Sequence, residues 1–78
     1  MIRLKIEDIF RIPGRGHLIS ARGDCSKIRI GSILVYPGGR EVRVEGIAAM
    51  CAGFREDFRD LLIKDEIDTK ETIIYLKE

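Results

Sequence analysis

At 78 residues the chain has room for one small domain. A domain of this size buries only about 60% of the surface its unfolded chain exposes, so its core must be thin. The apolar share of 45% is ordinary for a globular protein and the charged share of 35% is high, while no apolar run approaches the ~20 residues of a membrane helix. The net charge of +1 excludes a chain that is cationic throughout, although Met1–Arg43 carries nine Lys/Arg against four Asp/Glu, a net +5, and Val44–Glu78 five against nine, a net −4. Halves of opposite charge either expose a basic face or pack together and neutralise each other; interleaved strands favour the second. Arg3, Lys5, Glu7 and Asp8 interrupt the N-terminus, which leaves no signal-peptide pattern. The expected location is cytoplasmic, without a membrane partner.

The first element is a strand. Ile2, Leu4, Ile6, Phe10 and Ile12 occupy even positions, while Arg3, Lys5, Glu7 and Arg11 occupy odd ones. This period-two pattern predicts a half-buried strand with Asp8 as the one polar residue on its inward face, and with Phe10 and Ile12 in the core. Ile12-Pro13-Gly14-Arg15 reads as a type II turn, because proline sets φ at its second position and glycine takes the positive φ at its third. A second strand returns through His17 to Arg22, which makes the unit a β-hairpin.

Arg22-Gly23-Asp24-Cys25-Ser26 reads as a turn, and the adhesion-type tripeptide within it is expected to be turn chemistry. Ser32 to Tyr36 is a β-prone run. Tyr36-Pro37-Gly38-Gly39 repeats the proline-glycine turn logic, and Glu41-Val42-Arg43-Val44-Glu45 alternates with its valines inward. Beyond Ile47 the pattern is ambiguous. Cys51, Phe54, Phe58, Leu61 and Leu62 fall at helical spacing, yet Gly53 weakens a helix that begins before it. Ile73 to Leu76 supplies the last strand. Cys25 and Cys51 have neither a disulfide framework nor metal-ligand spacing and are expected to be reduced thiols.

Ile-Glu-Asp-Ile-Phe-x-Ile-Pro-Gly-Arg-Gly, from Ile6 to Gly16, resembles the opening hairpin of the second domain of elongation factor Tu and related translational GTPases. The likeness extends through Ile28-x-Ile30-Gly31-x-x-Leu34-x-Tyr36, where the family has a similar Gly-x-x-Leu segment, and through Gly46-Ile47; it is weaker beyond. It implies an all-β fold, a small closed antiparallel Greek-key-like β-barrel. For the ambiguous stretch it implies a loop or a single helical turn around Phe54 to Asp57, followed by a strand near Arg59 to Lys64 built on the Leu61-Leu62 pair. In that family the hairpin helps hold the aminoacylated 3′ end of transfer RNA. Carried over by position, the matching residues are Glu7, Asp8, Phe10, Ile12, Gly14 and Arg15, and Arg11 and Arg22 complete a cationic hairpin face. Three positions depart from the family pattern. Ala48 stands where an acidic pocket residue is found, and Arg59 and Glu71 each replace a glycine, filling space or giving up a positive φ.

Catalysis is not expected. His17 is the single histidine, so no histidine pair exists for a metal or a proton relay. Glu7 and Asp8 are adjacent on a strand and point to opposite faces. Gly14-Arg15-Gly16 lacks the lysine and hydroxyl of a phosphate loop, and the GTPase domain's motifs do not occur in these 78 residues. The expectation is a binding module without a nucleotide cofactor or metal, its partner transfer RNA or ribosomal RNA; the alternative is a protein-interaction barrel that has lost the RNA site.

Overall fold

The computed structural model describes residues 1–48 and 57–78. Six strands, β1 (Ile2–Ile12), β2 (Gly16–Arg22), β3 (Ile33–Val35), β4 (Glu41–Ala48), β5 (Phe58–Ile63) and β6 (Ile73–Lys77), close into an antiparallel barrel in the order β1-β2-β5-β4-β3-β6. Sequence neighbours β2 and β3 are separated in space by β5 and β4, which is a Greek-key-like connection. Closure pairs Ile2–Lys5 of β1 with Ile73–Leu76 of β6. The core is aliphatic: Leu4, Ile19, Leu34, Leu61, Ile63 and Ile74 are fully buried, and Val42 and Val44 point inward as their alternation predicts. The strand expected near Arg59 to Lys64 is β5. Most of the helical turn considered at Phe54 to Asp57 lies outside the described residues, as does Cys51.

Two β-bulges decide which side chains face outward. In the β1–β2 ladder Ile6 sits opposite Ala21 and the next pair is Asp8–Ser20, so Glu7 is an extra residue. An inserted residue shifts a period-two pattern by one and sends every later side chain to the other face. Before the bulge Leu4 and Ile6 are buried; after it Ile9, opposite Ile19, packs against the core, and Phe10 is 55% exposed. The reading of Phe10 and Ile12 as core residues is therefore corrected. Asp8 likewise lies on the exposed side rather than inward. A second bulge at Glu45 separates the pair Val44–Ile63 from Gly46–Leu62 and carries Gly46 outward.

The first turn is as expected: Gly14 has φ 76°, and the Arg15 amide donates to the Ile12 carbonyl at 3.0 Å. The second differs. In Tyr36-Pro37-Gly38-Gly39 the positive φ, 97°, falls on Gly39 rather than Gly38, so the proline-glycine pair does not repeat the type II geometry. Cys25 is buried rather than set in an open turn, a free thiol whose Sγ lies 3.7 Å from the Ala21 carbonyl oxygen. Asp24 closes the turn before it by accepting hydrogen bonds from the Ser26 amide and hydroxyl, which hold its carboxyl below the usual range. The tripeptide Arg22-Gly23-Asp24 is thus used locally.

Candidate nucleic-acid interface

Strands β1, β2, β5 and β4 lie side by side, and the registers align their outward residues in rows. Phe10, Leu18, Leu62 and Gly46 form one row across all four strands. Asp8, Ser20, Asp60 and Ala48 form the next. Each row is a chain of directly opposed cross-strand pairs, the arrangement in which sheet side chains touch.

The apolar row borders a groove of about 260 Å³ lined by Ile12, Leu18, Ile47 and Leu62, with Arg15 at the hairpin tip as its one charged wall among the described residues. Ala48 and Gly46 also line it. A Cβ built at Gly46 would lie 3.5 Å from the Leu62 Cβ, an ordinary contact, so glycine there keeps the groove open without being demanded by the fold. The polar row is internally satisfied at Ser20, whose hydroxyl donates to Asp60 Oδ1 at 2.6 Å.

The residues matched on the hairpin divide into two groups. Phe10, Ile12, Gly14 and Arg15 gather at the groove and tip. Glu7 and Arg22 belong to the bulge: Arg22 Nε donates to Glu7 Oε1 at 2.8 Å, and the guanidinium carbon stands 5.4 Å from the Phe58 ring centroid. This engaged arginine does not join Arg15. Asp8 sits between the groups in the polar row. Arg11, opposite His17, is exposed but takes the other parity from Phe10 and Ile12.

Leu18, Ile47 and Leu62 were not singled out from the sequence as site residues. A signal for two of them was present: Leu18-Ile19 and Leu61-Leu62 are adjacent apolar pairs on strands, and only one member of each can face the core. Ile19 and Leu61 take the interior.

Of the three departures from the family pattern, Ala48 lies in the groove lining directly across from Asp60. Arg59 has the inward parity of Leu61 and Ile63 and is buried at 5% exposure, its Nη1 donating to the Phe58 carbonyl at 2.7 Å. Burial pushes the Cys25 thiol up, and the Arg59 charge partly offsets this. Among the described residues no group of His, Cys, Asp and Glu is arranged to hold a metal ion, and no helix is long and apolar enough to cross a membrane.

No known protein family, curated protein or solved structure matches the chain.

Proposed function

We propose that this barrel is a non-catalytic, cytoplasmic RNA-binding module of the translation-factor second-domain type, acting without a nucleotide cofactor. The observation that carries the reading is Phe10: an aromatic ring 55% exposed on a sheet face, paired across the strands with Leu18 of the groove whose charged wall is Arg15. An exposed ring offers a stacking platform for an unpaired base, and a hydrated guanidinium at a hairpin tip supplies the phosphate contact that fixes the strand on the protein. Single-stranded ends and loops, such as those of transfer RNA or ribosomal RNA, are the segments whose bases are free to splay in this way.

A protein partner is the second reading, favoured by the aliphatic character of Ile12, Leu18, Ile47 and Leu62. Salt separates the two. Fluorescence anisotropy of labelled transfer RNA and of a single-stranded oligoribonucleotide is expected to give affinities that fall linearly with log salt, with a slope of about −0.7 per phosphate contact. Absence of binding to either RNA at low salt would remove the RNA reading and leave the protein one.

A further inference from the structure

β1 is flanked on both sides only near Lys5 and Ile6, and its C-terminal half has a strand on one side alone. Its pairing with β6 covers Ile2 to Lys5 and ends in one more hydrogen bond, from the Ile6 amide to the Thr72 carbonyl at 2.8 Å. From Asp8 to Ile12 the chain is paired with β2 on one side, and among the described residues no strand lies on the other. Alternate residues of an antiparallel strand turn their N–H and C=O groups to each side, so this stretch leaves a ladder of unpaired backbone groups. Where the segment before β6 departs from β1, a cleft of about 250 Å³ opens against this edge, with Ile9 and Thr72 in its walls beside Glu7, Asp8 and Glu71. Glu7 is held by Arg22, whereas among the described residues Asp8 and Glu71 form no ion pair and no cation lines the cleft.

We infer that the open edge of β1 is a docking site for an extended peptide segment that adds to the barrel as an antiparallel strand. Main-chain hydrogen bonds to Asp8–Ile12 supply the affinity of such an addition, and the side chains opposite supply its specificity. The register dictates the partner's chemistry. Aliphatic or β-branched residues suit the positions across from Ile12, Phe10 and Ile9, an acidic one faces Arg11, and a basic one faces Asp8 and runs on toward Glu71. A second copy of this chain fits less well. Antiparallel self-pairing about Phe10 would set Asp8 against Ile12 and Arg11 against Ile9, leaving each charge without a complement. The inference does not rest on the RNA reading, because the strand's edge and the acidic cleft carry it, although Phe10 and Ile12 belong to both surfaces.

The test uses the isotopically labelled full chain and the capped peptide Thr-Val-Glu-Val-Val-Lys-Lys. Saturable binding is expected, with amide exchange between Asp8 and Ile12 slowed at least tenfold at alternate residues. The same peptide N-methylated at alternate positions cannot form the ladder and is expected not to bind. The double variant Asp8→Lys/Glu71→Lys, with its folding checked by an unchanged denaturation midpoint, is expected to bind at least tenfold more weakly. Equal binding of the N-methylated peptide, or binding without protection of this edge, would overturn the inference. So would protection that appears without peptide and rises with protein concentration, which would identify the occupant as a second copy.

Discussion

Replacing Phe10 by alanine tests stability and binding at one side chain, and the two are expected to respond by different amounts. Truncating a fully buried phenylalanine costs about 3–5 kcal/mol, most of it from lost burial and the cavity left behind. At 55% exposure somewhat under half of the residue is out of water, and a gap on an open face refills with solvent. The expected loss is about 1–2 kcal/mol, or a fall in Tm of about 4–8 °C for each kcal/mol in a domain of this size. Binding responds differently. A base stacked on an aromatic ring contributes about 1–3 kcal/mol, so affinity for single-stranded RNA is expected to drop by about 5- to 150-fold. Urea denaturation and anisotropy on the same preparation read both quantities, and Phe10→Trp, which keeps a stacking surface, is expected to retain binding. A loss of the full 3–5 kcal/mol would show that the ring is part of the core and that the bulge at Glu7 does not redirect it. Unchanged RNA affinity in Phe10→Ala would place the binding face elsewhere.

Arg15→Ala is expected to leave stability within about 0.5 kcal/mol of the parent, as exposed changes do, while the slope of log affinity against log salt falls by about one; an unchanged slope would remove Arg15 from the phosphate contacts. Gly16→Ala should be among the most damaging substitutions, because its Cβ would lie 2.3 Å from the Ile63 carbonyl oxygen at a φ of 112°. Left-handed strain plus backbone displacement costs about 3–5 kcal/mol, and an unaltered urea midpoint would refute the close approach. In a Cys51→Ser background, Cys25 is expected to resist alkylation at pH 8 until the protein unfolds, since it is buried and its thiol is pushed above its ordinary value of 9.0. Above that pH the unfolded chain releases the proton that the folded chain retains, so stability falls as pH rises, and Cys25→Ala is expected to flatten this alkaline limb.

Much of the barrel is legible locally. Alternation in Glu41 to Glu45, the β-prone run at Ser32 to Tyr36 and the proline-glycine turn at Pro13-Gly14 each depend on a few consecutive residues, and the structure places strands and a turn there. A thin aliphatic core follows from the same patterns, but β5 does not, because Phe58, Leu61 and Leu62 also fit a helical period. What the hairpin displays does not follow. An alternating sequence reports two faces but not where a bulge exchanges them, and a bulge exists only by reference to a partner strand. Glu7 is the inserted residue because Ile6 and Asp8 oppose consecutive residues of β2; that pairing alone turned Phe10 from the core to the surface. The groove has the same origin. Ile12, Leu18, Ile47 and Leu62 are spread over 51 positions of chain and share a surface because β5 lies between β2 and β4. Residue types and their spacing thus determined most of the strands and the first turn, segment by segment. Which side chains stand together on the outside was decided by strand order and register, which are contacts between segments that no single stretch of sequence contains.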